Sequence, residues 1–193
     1  MSKNALLNLL SPAKTHSAPV FAAGTRKDAI LPIMRGPLDL ATMAARPRLQ
    51  FVASTGNVDR YGEVIEPSGW VLENFLKNPV FQNAHRYRDV ADTLGRVVEC
   101  GVREVVLRGG DSPKPALVID VDFAVEANPV AKLAYDLYAG GYLNAVSVGF
   151  IPLEWRDMEG KDGIYRVYQK QELLEVSAVG VPANPDCLVL NRA

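Results

Sequence analysis

The sequence predicts a mainly β fold with some helix, an α+β domain built on an antiparallel β-barrel, closed or nearly closed, with a few helices against it. Three observations carry that expectation. Between Leu49 and Gly180 the chain breaks into short apolar segments separated by turns rich in Gly, Asn and Pro. From Ala116 onward, Leu117, Ile119, Val121 and Phe123 alternate with Val118, Asp120, Asp122 and Ala124, a period of two with one strongly apolar face. One segment, after Asn128, has a well-marked helical period. The sum is roughly seven strands and two helices.

Residues 1–47 read as a flexible or loosely docked tail: Pro12, Pro19, Pro32, Pro37 and Pro47 recur among Ser, Ala, Thr and basic residues. Residues 48–193 form the domain. Leu49–Ser54 is a strand ended by Thr55-Gly56-Asn57, and Asp59–Ile65 a turn and a short strand. Ser68 caps a short helix carrying Val71, Leu72 and Phe75, closed by Asn78-Pro79. Val80–His85 is a short extended piece. Leu94–Val102, Glu104–Arg108 and Ala116–Phe123 follow as strands, with Gly109–Pro113 as the turn before the last. Asn128 is the helix N-cap and Pro129 the first helical residue, where a missing N–H costs nothing. Val130, Leu133, Ala134, Leu137 and Tyr138 form the apolar stripe, and Gly140-Gly141 ends the helix. Ala145–Trp155 and Tyr165–Gly180 are two long strands around a turn at Glu159–Gly163.

Composition narrows the function. The chain has 193 residues, 48% hydrophobic and 22% charged, with a net charge of −1. Nothing in that balance draws it to nucleic acid or an acidic membrane surface. No apolar run reaches the roughly 18 residues a membrane helix needs. Met1–Leu10 is too short and too weakly apolar for a signal peptide, so an intracellular setting is expected. Two cysteines, Cys100 and Cys187, do not make a disulfide scaffold, and with one histidine outside the tail they make no zinc site. No cofactor or metal is expected.

That histidine is His85; the other, His16, lies in the tail. His85 is almost the only side chain able to exchange protons near neutral pH without a large shift. In Leu143–Phe150, Ser147 shares its strand face with Ala145 and Gly149, the two smallest neighbours available. That leaves room for a carbonyl to approach the hydroxyl, and Gly149 lets a substrate backbone come close. A small-residue face packed under a helix gives the same pattern. In Gln171–Val179, period two places Leu173, Glu175, Ser177 and Val179 on one face and Glu172, Leu174, Val176 and Ala178 on the other. Either way a carboxylate shares a face with apolar residues and needs a partner, a histidine N–H or an arginine such as Arg96 or Arg166. Ser177 is a rival nucleophile with bulkier neighbours. One histidine, one serine with space and one acid among apolar residues are the parts a serine–histidine–acid set needs. Such sets recur on unrelated folds because the roles are geometric, so spacing along the chain does not test them.

Five segments resemble a known family: Ser54–Val64, Asn78–His85, Leu94–Val97, Ala145–Phe150 and Glu172–Pro185 are similar, in order, to the prohead (procapsid maturation) proteases of tailed bacteriophages. The resemblance covers about residues 49–190. That family is related in fold to the herpesvirus assembly proteases (assemblins), whose barrel is surrounded by helices. The resemblance implies Ser147 as nucleophile, His85 as general base and Glu175 as the acid that orients it, with Glu172 and Asp89 in reserve. A backbone N–H near Gly149, or the Arg96 side chain, would serve as oxyanion donor.

It further implies a serine endopeptidase that cuts phage scaffold, the N-terminal scaffolding segment of the major capsid protein and its own tail. It would act inside the procapsid in the host-cell cytoplasm, and a homodimer is allowed by analogy with assemblins. Two rivals stand beside this reading: an inactive protease-like scaffold or capsid-assembly protein, and an unrelated small β-barrel binding module. The second would show aromatics interleaved with basic residues, and no such stripe is present. Trp155 and Tyr165–Tyr168 are more simply cross-strand pairs of a hairpin.

Overall fold

The computed structural model describes residues 47–191. The expected tail, apart from Pro47, and His16 lie outside the described residues. In chain order the strands are β1 (Arg48–Thr55), β2 (Glu63–Ile65), β3 (Trp70–Val71), β4 (Val80–Asn83), β5 (Thr93–Val106) and β6 (Pro113–Phe123). They are followed by helix α1 (Pro129–Ala139), then β7 (Ala145–Asp157), β8 (Arg166–Val179) and β9 (Val189–Asn191). The fold is therefore mostly β with one α-helix among the described residues.

All nine strands belong to one sheet. Strand β8 is its junction. Along one edge it pairs in parallel with β2, then β3, then β4; along the other it pairs antiparallel with β7 for most of its length. The path continues from β4 through β5, β6 and β1 to β9. The sheet does not close into the expected barrel. β9 is three residues long and its ladder runs on β1. Its approach to β7 is one isolated bridge, Ala145 with Leu188, flanked by the Val146 N–H bond to Cys187 O at 3.0 Å and the Val189 N–H bond to Asn144 O at 2.8 Å.

The apolar face read from Ala116 onward is the floor of the core: Leu117, Ile119, Val121 and Phe123 are at most 3% exposed, packed with Phe51, Phe81, Leu94 and Val146. Helix α1 begins as expected, with Asn128 Oδ1 accepting from Val130 N–H at 2.9 Å. Asn128 also ties the helix to the chain before β5, donating from Nδ2 to the carbonyls of Ala91 and Thr93. The stripe differs from expectation. Ala131, Ala134 and Tyr138 are the buried residues, whereas Val130 and Leu133 are exposed. Tyr138 accounts for the rotation: its ring packs edge-on against Phe51 and Phe123, and its hydroxyl donates to Ala145 O at 2.7 Å.

Three other segments differ. The helix expected after Ser68 is two 3-10 turns, Pro67–Gly69 and Phe75–Lys77, around β3. Trp70 and Val71 pair with Gln171 and Glu172, and Gly69 lies against the Gln169 carbonyl, where a Cβ would collide. Leu94–Val102 and Glu104–Arg108 are not two strands but one, β5, whose antiparallel ladder on β6 runs on to Val106 opposite Pro113. Finally, the extended piece ends at Asn83, short of His85.

Candidate active site

Residues Ala84 and His85 form a tight turn. Both have positive φ, 51° and 58°, and Arg86 N–H bonds Asn83 O at 3.1 Å. Two successive left-handed residues closed by that bond are the pattern of a primed hairpin turn, normally built with Asn or Gly. Neither is present, so the backbone is strained, at a cost on the order of 1–3 kcal/mol per residue. Strand β8 holds it in place: Ala84 N–H bonds Ala178 O at 3.0 Å, and His85 N–H bonds Ser177 Oγ at 2.9 Å.

The side chains converge on Glu175. His85 Nδ1 lies 2.6 Å from Glu175 Oε1, and Ser177 Oγ donates to Glu175 Oε2 at 2.6 Å. Glu175 is 3% exposed and Ser177 fully buried. An ionised carboxylate accepts only, so the proton of the histidine contact sits on Nδ1 and leaves the Nε2 lone pair free. The Glu175 hydrogen bond raises the His85 pKa above the ordinary 6.5; burial opposes this and the carboxylate charge adds to it. The His85 side chain remains 38% exposed while that of Glu175 is 5% exposed, so a reactant can reach the base but not the acid.

A β-bulge decides which acid faces the histidine. Across β7 and β8, Gly149 pairs with Glu175 but Phe150 pairs with Leu173, so the register shifts at Leu174. As a result Leu173, Val176 and Ala178 enter the core, while Glu175 and Ser177 carry the polar cluster. The uniform period-two reading, with Leu173, Glu175 and Ser177 on one face, fails at that point. The carboxylate of Glu175 lies over Gly149, where a Cβ would collide with Oε1. Gly149 thus makes room for Glu175, a use its position in the strand did not announce.

Ser147 is the direct antiparallel partner of Ser177. Direct partners point to one face with Cβ atoms about 4.5–5.5 Å apart. This register puts Ser147 beside the group that holds His85. Ser147 is half-buried, and its hydroxyl makes no hydrogen bond among the described residues, whereas the Ser177 hydroxyl is used twice.

The reserve acids are elsewhere engaged. Glu172 Oε1 accepts from Asn74 Nδ2 at 2.9 Å, and Asp89 Oδ1 accepts from Ala91 N–H at 2.9 Å, capping the 3-10 turn Val90–Asp92. The arginines weighed as partners for the buried acid also lie apart from it: Arg96 pairs with Asp122 at 2.8 Å and Arg166 with Asp157 at 2.6 Å. The Arg96 guanidinium is thereby committed to Asp122. Cys187 is buried, with Sγ 3.1 Å from Ala53 O, and burial pushes its thiol pKa up. Cys100, packed against the core, is pushed up to about 12. Among the described residues, no three His, Cys, Asp or Glu side chains group so as to hold a metal ion. No helix of the described residues is long and apolar enough to cross a membrane.

Sequence reasoning named His85, Ser147 and Glu175 but missed the double role of Ser177. A hydroxyl two residues from a buried acid on one strand was the available signal.

Comparison with known proteins bears on part of this arrangement. Residues 117–192 match a family model described as caudovirus prohead serine protease. The match spans less than half of the chain; it contains Ser147, Glu175 and Ser177 and stops short of His85. It supports a protease role in phage maturation. No curated protein and no solved structure matches the chain.

Proposed function

We propose that the chain is a serine endopeptidase of phage prohead maturation, in which Ser147 is the nucleophile, His85 the general base and Glu175 the acid that orients it. The observation that carries this reading is the 2.6 Å contact between His85 Nδ1 and Glu175 Oε1, on the strand whose Ser177 stands opposite Ser147. A proton-exchanging ring fixed through one nitrogen, and an unengaged hydroxyl on the adjoining strand opposite Ser177, are groups that nucleophilic acyl transfer requires.

The reaction follows from those groups. His85 Nε2 takes the proton of Ser147 Oγ as the oxygen bonds to the substrate carbonyl carbon. The proton then passes to the leaving amine as the C–N bond breaks, giving an acyl-serine. Water, deprotonated by the same nitrogen, attacks the acyl carbon; as the ester C–O bond breaks, the proton passes from His85 Nε2 to Ser147 Oγ and the enzyme is regenerated. Glu175 stays ionised and stabilises the imidazolium formed in each half. Ser177 is a positioning residue, joining the Glu175 carboxylate to the backbone of the His85 turn.

By this reading the substrates are phage capsid protein and scaffold, cut within the procapsid in the host cell, together with the chain's own residues 1–47. The kinship with assemblins, and a homodimer, belong to the same reading. Co-expression with the capsid protein tests it. Wild type is expected to shorten the capsid protein and itself at the N-terminus, while Ser147→Ala and His85→Ala leave both intact. Equal processing by wild type and Ser147→Ala would overturn the assignment.

A further inference from the structure

Two segments singled out in the sequence take no part in the chemistry above, Ser54–Glu63 and Val181–Asp186. In the fold they meet. Asn57 Nδ2 donates to Asp186 Oδ2 at 2.5 Å, Asn184 Nδ2 donates to Thr55 Oγ1 at 2.9 Å, and the Arg60 guanidinium donates to the Pro182 carbonyl. Between them and β7 lies a pocket of about 160 Å³, with Ser147, Val148 and Phe150 in its wall.

The chemistry of this pocket is one-sided. Asp59 and Glu63 line it, and no Lys, Arg or His side chain does among the described residues. Asp59 Oδ1 is spent on its own turn, accepting from the N–H groups of Tyr61 and Glu63 at 2.8 and 2.9 Å. Glu63 Oε1 accepts from Tyr168 OH at 3.0 Å, which leaves its second oxygen without a hydrogen bond among the described residues. Of the nearby cations, Arg60 is used on the Pro182 carbonyl and Arg166 on Asp157, and Lys114 Nζ reaches the amide oxygen of the lining Asn57 at 3.5 Å. Ser54 also lines the pocket; it is 1% exposed and its Oγ has no hydrogen-bond partner among the described residues. A buried hydroxyl without a partner is rare in a folded protein and calls for a ligand or water to complete it. The remaining walls, Ile65, Val148 and Phe150, are apolar. Apolar walls, a carboxylate with an unused oxygen and an uncompensated hydroxyl suit a long aliphatic stem bearing a cationic head.

We infer that this pocket receives the side chain of a lysine or arginine next to the scissile bond, and that Glu63 selects it. The inference rests on the protease reading, since Ser147 is what makes the pocket a substrate site.

The test is a peptide library varied at the residues on either side of the cut, incubated with the full chain and read by mass spectrometry. Wild type is expected to cut beside lysine or arginine. Glu63→Gln keeps an acceptor for Tyr168 but loses the charge. It should lower kcat/KM for basic peptides about tenfold, the loss expected for one charged hydrogen bond, and lower it clearly less for peptides with methionine or norleucine there. Glu63→Lys should shift preference toward glutamate. Cutting by wild type without enrichment of basic residues at either position would overturn the inference. So would an equal loss on all peptides in Glu63→Gln. Fluorophosphonate labelling of Ser147 in the same samples separates the two readings: labelled enzyme without basic preference overturns the pocket alone, and neither labelling nor cutting overturns both.

Discussion

Among the described residues two strand carboxylates are buried with a nitrogen partner, and they differ in what the partner can do. Asp122, 8% exposed, accepts from its register partner Arg96 through Nε at 3.2 Å and Nη2 at 2.8 Å. Glu175, 3% exposed, accepts from His85 at 2.6 Å. A guanidinium never gives up its proton in a protein, so the Asp122 pair holds charge and moves none. His85 gains and loses a proton, with its pKa raised above the ordinary 6.5 by the Glu175 hydrogen bond. The two settings differ as well. Arg96 and Asp122 meet across an antiparallel ladder, whereas Glu175 sits beside a bulge and reaches a residue held at positive φ. Burial of a carboxylate therefore does not mark chemistry. The marks are a partner that exchanges protons, a path for a reactant to reach it, and backbone strain stabilised by neighbours.

The sharpest way to break that contrast is to remove the reacting groups. Ser147→Ala and His85→Ala should each lower the single-turnover cleavage rate by roughly 10⁶, with unchanged circular dichroism; a variant retaining near-normal cleavage would place the chemistry elsewhere. Glu175→Gln should cost less, roughly 10⁴, because the ring loses its correct tautomer but keeps its place.

The pH profile gives the next effect. The base must be neutral, so kcat/KM should rise with pH through a limb above 6.5, and in Glu175→Gln that limb should move down as the raising contact is lost. By contrast, Asp122→Asn should leave the limb where it is and lower stability instead. The loss of one charged hydrogen-bonded pair, reduced because Arg96 is partly exposed, is about 2 kcal/mol. In a domain of this size that corresponds to a Tm lower by about 4–8 °C.

The smallest effect is linkage. His85 has a raised folded pKa, so its pairing with Glu175 adds stability below the unfolded value of about 6.5 and loses it as pH rises through the folded value. Wild type minus His85→Gln, measured by urea unfolding, should show that excess shrinking from pH 6 to pH 8. An excess that grows with pH would contradict the ion pair.

The sequence made the strands and the helix start readable, because period two in Leu117–Phe123 and the Asn128-Pro129 cap are local signals. It did not reveal the turn at Ala84–His85, since the residues that announce a primed turn are Gly and Asn and neither is there. The rotation of α1 was hidden because Tyr138 is fixed by Phe51, Phe123 and Ala145, contacts from distant sequence. The open sheet was hidden for the same reason: closure depends on how few residues of β9 reach β7. At the site, His85 and Ser147 could be singled out from residue type and neighbours, and the family resemblance supplied their roles. Period two left Glu175 and Glu172 open and the family resemblance favoured Glu175; the bulge beside Glu175 was not legible, because only cross-strand register defines it.

The central claim, a Ser147 nucleophile activated by His85 held on Glu175, is tested most directly by locating the adduct of a fluorophosphonate by mass spectrometry of tryptic peptides. The account predicts one adduct, on Ser147, absent in Ser147→Ala and strongly slowed in His85→Ala. An adduct on Ser177, or labelling of Ser147 at the same rate without His85, would contradict it.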